Sequence, residues 1–345
     1  MSQNAKKISV LVLGKMAESA CQHLARFADF EEVDREQPLD SRTMIQNLKG
    51  KDAVISEPLD AITPEVMDAC PTLKVVANRA VGYDNIDTSE ASKRGVVVTN
   101  TPGVLDNATA DLAFALLLSV SRRICEADRY VRAGEWNGFK SDLMLGPDLY
   151  AKTCGIIGMG RIGKAFAMRA RAFGLNIIYT RSSQPDDLDR QLSEHFGATR
   201  VEFDELLKKS DFISLHCPLN AQTRHLIGER ELNLMKPTCI LINTARGAVI
   251  DQPALVSHLV QGKILGAGLD VFENEPSVPE PLLKLETVVL TPHIGSACID
   301  TRRRMAEMAV HSIEKAYSGA KPEHLVNPDA WQRFTQDTLK TTQIR

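Results

Sequence analysis

The first part of the chain alternates short apolar runs with stretches that carry apolar side chains at helical spacing, such as 16–27 and 63–69. The apolar runs have the length of buried strands and lie at 8–13, 53–56, 75–78 and 96–99. This alternation of strand and helix predicts a small α/β unit.

A long helical pattern follows at 107–134. Its apolar residues, among them Leu112, Leu116 and Val120, recur at helical spacing and then give way to charged residues. The pattern predicts one helix that connects this unit to the next.

A second alternation begins at Thr153, after the polar stretch 135–148. Its strands are predicted at 153–157, 176–180, 212–215, 239–243, 265–269 and 287–290. Because helical patterns separate them, these strands predict a parallel sheet covered by helices on both faces.

The last helical pattern begins near Ser296 and is long enough to leave the second unit and pack against the first. The predicted fold class is therefore α/β with two doubly wound parallel-sheet domains. One domain, residues 107–296, is inserted into a smaller one formed by residues 1–106 and 297–345. The polar tail at 331–345 is expected to be loose.

Composition places the chain among ordinary globular proteins. Its 345 residues suffice for two domains, since a domain usually holds about 100 to 200 residues. Hydrophobic residues make up 43% and charged residues 25%, close to the globular average. The net charge of -3 gives no general attraction for a polyanion, so nucleic acid is not expected as a partner.

The cysteines and the N-terminal residues bear on where the protein works. The 7 cysteines are scattered singly, which argues against disulfides and a zinc site and favours a reducing cytoplasm; no metal is predicted. Lys6 and Lys7 before the apolar run 8–13 imitate a secretory signal, but Gly14 and Lys15 interrupt it early, so a strand is expected. No run reaches the ~20 apolar residues of a membrane span.

A glycine motif opens the second alternation. Gly158, Gly160 and Gly163 form G-x-G-x-x-G between a predicted strand and a helical run. Gly158 allows a tight turn, Gly160 lets the backbone approach a pyrophosphate, and Gly163 lets helix and strand pack closely. Free N–H groups at the helix start face the anion. The motif in this context predicts a dinucleotide-binding Rossmann domain.

The next predicted strand ends in Thr180, Arg181, Ser182 and Ser183, where binding of the ribose 2′-hydroxyl of NAD requires Asp or Glu. A guanidinium pairs with phosphate through two parallel hydrogen bonds, and the missing carboxylate removes a repulsion. Arg181 with Ser182 therefore favours the 2′-phosphate of NADP. In the alternative, Arg181 stacks on adenine or lies in solvent, and the choice of cofactor stays open.

Arg246, Glu275 and His293 each lie in a segment that follows a predicted strand. Because ligands bind outside the carboxyl ends of parallel strands, the three segments should meet at one crevice. Reduction of a 2-keto acid needs a fixed cation, which Arg246 supplies, and an acid for the forming alkoxide, which His293 supplies. A neighbouring Glu275 carboxylate favours the protonated imidazole. Together these residues predict hydride transfer to a carbonyl.

Motifs follow one another over nearly the whole chain. They are V-G-Y-D-N-I-D at 81–87, N-T-P-G-V at 100–104, A-T-A-D-L-A at 108–113, G-M-G-R-I-G at 158–163, N-T-A-R-G at 243–247, G-L-D-V-F-E-N-E-P at 268–276 and P-H-I-G-S at 292–296. In this order they resemble the D-isomer-specific 2-hydroxyacid dehydrogenase family, in its glyoxylate, hydroxypyruvate and 2-ketogluconate reductase branch. The resemblance implies an NAD(P)-binding Rossmann domain inserted into a flavodoxin-like substrate domain.

The resemblance also implies roles for single residues. Arg246, Glu275 and His293 match the family's catalytic Arg, Glu and His. Val81 and Gly82 match positions whose backbone N–H groups bind the substrate carboxylate, beside Arg246 and His293.

For the cofactor, the resemblance implies Thr109 and Asp270 near the nicotinamide, and Cys217 with Pro218 along the cleft without a redox role. Alternatively, Asp270 is a turn residue at a strand end. The predicted cofactor-binding set is Thr109, Gly158, Gly160, Arg161, Ile162, Gly163, Arg181, Ser182, Cys217, Pro218, Thr223, Thr244, Ala245, Arg246, Asp270, His293 and Gly295. A homodimer formed largely through the nucleotide domains is a further implication.

One departure from the family bears on the cofactor. NAD-preferring members usually carry an acidic residue where this chain has Thr180 and Arg181, so NADP(H) is favoured, with NAD(H) as the alternative. Formate dehydrogenases typically have Gln where this chain has Glu275. Two alternatives stay open: a phosphite dehydrogenase, whose relatives keep a comparable Arg, Glu and His, and a dinucleotide-sensing regulatory protein.

The sequence thus predicts an NADPH-preferring enzyme that reduces the C2 keto group of glyoxylate, hydroxypyruvate or 2-ketogluconate to the D-2-hydroxy acid, with a hinge that closes over the substrate. Trp136, Phe139, Met144 and Leu145 either select the substrate or pack at an interface. Arg79, just before Val81, is a candidate for holding an anionic substrate.

Overall fold

A computed structural model describes residues 7–338 of the protein. The chain forms two compact units, the first with the residues up to Leu105 and again from Ser296, the second with Asp106–Gly295. Lys6 of the signal-like start and residues 339–345 of the polar tail lie outside the described residues.

Strands and helices alternate along most of the described chain. The strands are β1 Ile8–Leu13, β2 Ala28–Val33, β3 Ala53–Ser56, β4 Val75–Asn78, β5 Val97–Thr99, β6 Thr153–Ile157, β7 Asn176–Thr180, β8 Thr199–Arg200, β9 Phe212–Leu215, β10 Ile240–Asn243, β11 Gly266–Leu269 and β12 Val288–Leu290. The helices are α1 Glu18–Leu24, α2 Ser41–Leu48, α3 Pro64–Ala69, α4 Thr88–Lys93, α5 Asp106–Ser121, α6 Ile124–Arg132, α7 Arg161–Ala172, α8 Asp187–Phe196, α9 Phe203–Lys209, α10 Glu229–Leu234, α11 Gln252–Val260, α12 Glu280–Leu283, α13 Ile299–Tyr317 and α14 Ala330–Asp337. A short 3₁₀ helix spans Gly247–Val249.

The first unit is built on a five-stranded parallel sheet with the order β2-β1-β3-β4-β5. This is the strand order of flavodoxin-like folds. Side chains of β1 alternate between two cores: Val10 and Val12 pack with α13, whereas Leu11 and Leu13 pack with α2 and α3. Burial on both faces explains why every residue of β1 except the partly buried Ser9 is apolar.

The second unit contains a seven-stranded parallel sheet with the order β12-β11-β10-β9-β6-β7-β8. Its strand order reverses beside β6, as in dinucleotide-binding sheets. Because every strand is parallel, the carboxyl ends of neighbouring β10, β11 and β12 meet at one edge. The predicted class of two parallel-sheet α/β domains is confirmed.

The single helix predicted for 107–134 is wrong, because two helices occupy this range. α5 ends at Ser121 and α6 begins at Ile124, with Arg123 between them in the left-handed region at φ 51°. The Arg123 guanidinium donates to the Glu126 carboxylate at 2.7 Å, which fixes the break. Helical periodicity did not reveal it, since Arg123 is compatible with a helix interior.

Two strands escaped the sequence prediction, and both lie at sheet edges. β2 carries Glu31 and Glu32, and only Ala28 is buried along it. β8 has two residues. Edge strands with a solvent-facing side lack the apolar runs that marked the central strands.

The expectation of a loose tail is wrong for residues 331–338. α14 covers most of them, and Phe334 on it is fully buried. The Phe334 ring lies 5.7 Å from Tyr317 and 5.4 Å from Trp331, measured between ring centroids. A two-turn helix needs few apolar residues to pack on one side, so polar composition concealed it.

None of the helices between residues 7 and 338 is long and apolar enough to cross a membrane.

Replacing Phe334 with alanine should lower the free energy of unfolding of the first unit by about 3 kcal/mol, because it leaves a cavity beside Tyr317. Urea unfolding followed by the fluorescence of Trp331, in a Trp136→Phe background that removes the other tryptophan, measures the change. Gln336→Ala, on the exposed side of the same helix, is the matched control and should shift stability little. Equal stabilities of the two variants would contradict the packing of α14.

Candidate active site

The glycine motif forms a tight turn between β6 and α7. Gly158 has φ +95°, and a Cβ on it would lie 2.7 Å from the backbone nitrogen of Cys217. A Cβ on Gly163 would lie 2.2 Å from the carbonyl oxygen of Gly158. Both positions therefore exclude any larger residue, as the motif predicts.

In front of the turn, the backbone is open. A Cβ on Gly160 would meet no atom within 4 Å, and α7 begins after Gly160 without a side-chain cap. Uncapped N–H groups of a helix start suit a pyrophosphate, so the cradle fits a dinucleotide. Arg161 is exposed and lies 3.4 Å from the Asp106 carboxylate, whereas Ile162 packs against the core.

Arg181 lies beside this turn. Ile157 and Thr180 are paired across β6 and β7, and the N–H of Gly158 donates to the Thr180 carbonyl at 3.0 Å. The Arg181 side chain is largely buried because its guanidinium contacts the carboxylates of Asp186 and Asp189. Ser182 next to it is exposed.

Cys217 and Pro218 follow β9 and lie next to the glycine turn. Burial raises the pKa of the Cys217 thiol to about 11, so the thiol stays protonated at neutral pH. The Thr223 hydroxyl donates to the Pro218 carbonyl at 2.6 Å and so closes the loop after Cys217.

Arg246 lies in a turn fixed by a buried asparagine at the end of β10. The Asn243 amide donates to the Arg246 carbonyl at 2.9 Å and accepts from the Ala245 N–H at 3.0 Å. Arg246 itself donates to the Ala245 carbonyl at 2.9 Å. The neighbouring Thr244 is almost fully buried. Asn243 belongs to one of the sequence motifs, but no local pattern indicated this bracing role.

Gly247 joins the Arg246 turn to the segment that carries Glu275. A Cβ on Gly247 would lie 1.9 Å from the carbonyl carbon of Phe272. The two backbones therefore touch, and only glycine fits between them. The predicted convergence of these two segments at one edge of the sheet is confirmed by this contact.

Glu275 and His293 form a hydrogen-bonded pair. The Glu275 carboxylate lies 2.7 Å from His293 Nδ1, and its other oxygen accepts from the Phe272 N–H at 3.0 Å. Because a carboxylate only accepts hydrogen bonds, Nδ1 carries a proton. Nε2 of His293 has no hydrogen-bond partner within residues 7–338 and is available to a ligand.

Asp270 fixes the backbone on which His293 sits. His293 has φ 52°, a left-handed conformation that is uncommon outside glycine, and its N–H donates to the Asp270 carbonyl at 2.8 Å. The Asp270 carboxylate accepts from the Thr291 hydroxyl at 2.7 Å and from the N–H groups of Ile294 and Gly295 at 2.8 Å. Burial raises the pKa of Asp270 above its ordinary value.

Thr109 of α5 reaches the same place. A Cβ on Gly295 would lie 3.2 Å from the Asp270 carboxylate and 3.5 Å from the Thr109 methyl carbon. Thr109, Asp270 and Gly295 are thus neighbours in the second unit.

A second histidine–carboxylate pair was not foreseen. His225 Nε2 lies 2.6 Å from the Glu273 carboxylate, and the His225 N–H donates to the Ala248 carbonyl at 2.8 Å. The Glu273 N–H donates to the Gln252 side chain at 3.0 Å. These bonds tie the Glu275 segment to the loop at His225 and to the start of α11. Sequence offered no signal, because the paired residues lie far apart along the chain.

In the first unit, the backbone at Val81 and Gly82 is held through its carbonyl groups. The Asn100 amide donates to the Val81 carbonyl and the Asn78 amide to the Gly82 carbonyl, both at 2.8 Å. The N–H groups of Val81 and Gly82 have no hydrogen-bond partner among the described residues. Two successive free N–H groups suit a carboxylate.

Arg79 does not offer its guanidinium to a ligand, which corrects the proposed substrate contact. The side chain is 7% exposed and donates to the carbonyls of Leu13 and Lys15 and to the Glu57 carboxylate, at 2.7 to 2.8 Å. Burial lowers the pKa of Arg79, though Glu57 opposes the shift. Arg79 therefore braces the first unit behind Val81.

The segment between α6 and β6 exposes large apolar side chains. Phe139 is 91% exposed, and Trp136 and Leu145 are more than half exposed. Met144 has φ 51° and is partly buried. Among residues 7–338, no cluster of His, Cys, Asp and Glu could hold a metal ion.

Comparisons with known proteins agree with these features. Residues 114–295 match the family model described as "D-isomer specific 2-hydroxyacid dehydrogenase, NAD binding domain". The chain is 48% identical over 328 residues to the glyoxylate reductase of Thermococcus litoralis, which covers 94% of this chain and 98% of that protein.

Solved structures extend the likeness to three dimensions. A protein from Thermus thermophilus gives a TM-score of 0.84 at 42% identity, covering 92% of this chain and 100% of that one. The NADPH-dependent glyoxylate/hydroxypyruvate reductase of Sinorhizobium meliloti was solved with NADP and malonate. It gives a TM-score of 0.81 at 34% identity, and the match covers 94% of this chain and 98% of that one.

The sequence identity to these relatives extends over nearly the full length of the chain, and the glycine turn fits a dinucleotide. Together these observations identify the family. The chain belongs to the D-isomer-specific 2-hydroxyacid dehydrogenase family and is an oxidoreductase that uses a nicotinamide dinucleotide and acts on CH–OH groups.

Proposed function

We propose that this protein is an NADPH-preferring glyoxylate reductase that also reduces hydroxypyruvate and 2-ketogluconate to their D-2-hydroxy acids. The observation that carries the proposal is the Glu275–His293 pair, whose Nε2 is open to a ligand. Support for the substrate comes from the names of relatives such as the Thermococcus litoralis enzyme. Glyoxylate is accordingly the first substrate to test.

In this proposal, three side chains perform the chemistry on the substrate. A reduced nicotinamide, once bound, would be the source of the hydride for C2. His293 donates the Nε2 proton to the forming alkoxide, and Glu275 keeps Nδ1 protonated and balances the imidazolium charge. Arg246 binds the carboxylate and keto oxygen as a fixed cation. In the oxidation direction, neutral His293 accepts the proton of the hydroxyl group.

The free N–H groups of Val81 and Gly82 take the substrate carboxylate in this scheme. Their support is that the adjacent carbonyls are already bound by Asn100 and Asn78, so the N–H groups keep a fixed direction. The first unit is accordingly the substrate domain and the second unit the cofactor domain. Their boundaries in the structure, Leu105/Asp106 and Gly295/Ser296, each lie one residue before the predicted boundaries 106/107 and 296/297.

The preference for NADPH rests on Arg181 and Ser182 at the end of β7. The Sinorhizobium meliloti neighbour, described as NADPH-dependent, was solved with NADP. Thr109, Asp270 and Gly295 flank the nicotinamide. The rest of the proposed cofactor site consists of Gly158, Gly160, Arg161, Ile162, Gly163, Cys217, Pro218, Thr223, Thr244 and Ala245.

We further propose a homodimer that works in a reducing cytoplasm. A second copy of the chain would cover Trp136, Phe139 and Leu145, which are otherwise exposed to water. The cysteines of the described chain are all free thiols, which suits a reducing compartment.

Replacing His293 with glutamine should lower kcat for glyoxylate reduction about a thousandfold, because the proton donor is lost. Purified enzyme is assayed with glyoxylate, hydroxypyruvate and 2-ketogluconate. NADPH binding, followed by its fluorescence, is measured in parallel so that a loss of kcat at saturating NADPH can be assigned to the proton donor. His311→Gln is the matched control, since His311 also faces a glutamate, Glu314, but lies in the first unit.

Wild-type turnover in the His293→Gln variant would disprove the acid assignment. If the wild-type enzyme binds NADPH but reduces none of the three keto acids, the proposed reductase activity is wrong. A phosphite oxidation assay run beside them separates that alternative chemistry from a regulatory protein without turnover.

Replacing Arg181 with aspartate should lower the ratio of kcat/KM for NADPH to that for NADH at least about tenfold, because a carboxylate repels the 2′-phosphate. The two cofactors are compared at saturating glyoxylate. Arg190→Asp, an exposed site on α8, is the control for charge reversal and should leave the ratio nearly unchanged. An unchanged ratio in Arg181→Asp would remove the basis for NADPH preference.

Replacing Phe139 with aspartate should weaken the dimer, because a charge enters the apolar surface. Light scattering across a dilution series should give twice the mass of one chain for the wild type and a lower mass for the variant. Ile299→Asp, an equally exposed apolar site in the first unit, is the control. A monomeric wild type would contradict the homodimer.

A further inference from the structure

The guanidinium of Arg181 is not free: it lies in a network of charged side chains at the start of α8. Its Nε and Nη2 donate to the two oxygens of Asp189 at 3.0 and 2.9 Å, and Nη2 also donates to Asp186. Arg200 of β8 donates to the same Asp189 carboxylate at 3.1 Å. Two guanidinium groups therefore share two carboxylates.

Asp189 is fixed from several sides. Besides the two arginines, it accepts from the buried Tyr179 hydroxyl at 2.6 Å and from the Asp186 N–H at 2.9 Å. Its side chain is 16% exposed. The Arg181 guanidinium holds the pKa of Asp189 well below its usual range, so the carboxylate stays ionised. A ligand cannot displace Asp189 without breaking all of these bonds.

Asp186 is far less constrained. Its side chain is 51% exposed, and apart from Arg181 it is bound through the Leu188 N–H at 2.8 Å. Turning this side chain into water breaks a half-exposed ion pair and the cap on the Leu188 N–H, which are fewer bonds than those that hold Asp189.

The two carboxylates also occupy different edges of the Arg181 guanidinium. Asp189 takes the Nε–Nη2 edge in a two-bond arrangement. The other two-bond edge, formed by Nη1 and Nη2, carries Asp186 on Nη2, whereas Nη1 has no hydrogen-bond partner among the described residues. A phosphate that pairs with Arg181 through two hydrogen bonds has to take this second edge.

Arg200 adds a second cation. Its Nη2 donates to the carbonyls of Arg181 and Ser183, so it also holds the backbone of the 181–183 segment. Its Nε has no hydrogen-bond partner within residues 7–338. With Asp186 turned away, the positive charges of Arg181 and Arg200 would be balanced by the single negative charge of Asp189.

We propose that the two carboxylates act in opposite directions on NADPH binding. Asp189 is a positioning residue that holds Arg181 and Arg200 ready for the 2′-phosphate, and Asp186 competes with that phosphate for the open edge of Arg181. The proposal rests on the preference for NADPH put forward above. It makes Asp186, Asp189 and Arg200, in addition to Arg181, determinants of cofactor specificity.

The test compares Asp186→Asn with Asp189→Asn. Both variants remove one negative charge from the same helix start, and asparagine keeps an acceptor for the N–H groups that each aspartate caps. A general charge effect would tighten phosphate binding in both variants. The proposed roles require opposite signs, so the pair separates the two explanations.

The probes are 2′,5′-ADP, which carries the 2′-phosphate, and 5′-AMP, which lacks it, titrated into the full chain by calorimetry. Asp186→Asn should bind 2′,5′-ADP about threefold more tightly than the wild type, and Asp189→Asn about tenfold more weakly. Affinity for 5′-AMP should stay within about twofold in both. Arg200→Gln should also weaken the binding of 2′,5′-ADP without changing the binding of 5′-AMP.

Asp187→Asn is the matched control, because Asp187 begins the same helix and is 86% exposed, with Arg190 as its ionic partner. It should leave both affinities nearly unchanged. Shifts of the same sign in Asp186→Asn and Asp189→Asn, or no shift in either, overturn the proposal.

This outcome is separate from the fate of the NADPH preference. That preference fails if wild-type protein binds 2′,5′-ADP no more tightly than 5′-AMP. The roles of Asp186 and Asp189 are tested by a different quantity: the change in the ratio of the affinity for 2′,5′-ADP to the affinity for 5′-AMP when each residue is replaced. The direction of that change can be read at any wild-type ratio.

Discussion

The contact between the backbones at Gly247 and Phe272 governs the candidate active site. It brings the turn that carries Arg246 against the segment that carries Glu275, at a distance that excludes any Cβ. Adjacent parallel strands deliver both segments to one edge of the sheet, but adjacency alone leaves room for a side chain between them. Because Gly247 has no side chain, the two backbones can touch. The Phe272 N–H is then positioned to bind the Glu275 carboxylate and orient it.

The imidazole of His293 is directed from two sides. Glu275 binds Nδ1, and Asp270 holds the left-handed backbone of the TPHIGS segment through carbonyl and carboxylate oxygens. A left-handed histidine is unfavourable by itself, so the surrounding bonds must determine it. Asp270 is buried and its pKa is raised, and its three donors compensate for the loss of solvent. These bonds give Asp270 a structural role in the turn that carries His293.

Around Arg181, in the second unit, the balance between arginines and aspartates is the feature that matters. The sequence shows an arginine where a dinucleotide-binding strand often ends in an acid, but two acids return to the same place from the start of α8. The local charge is consequently close to balanced, and the arrangement of hydrogen bonds has more influence than the count of charges. The distinction between a fixed carboxylate and a displaceable one follows from burial, which differs widely between Asp189 and Asp186.

The sequence alone determined the two α/β units, their central strands and the segments that carry the reactive residues. Buried parallel strands require uninterrupted apolar runs, and the glycine turn requires glycines at fixed spacing, so both leave local signals. The break at Arg123, the edge strand β2 and the packed helix α14 left none, because a helix break, a half-exposed strand and a single buried Phe334 are compatible with other local structures. Only the tertiary structure showed that His225 pairs with Glu273, that Arg79 braces the first unit, and that Arg181 shares its charge with Asp186 and Asp189. The energies of these contacts depend on burial and distance, which a linear pattern does not contain.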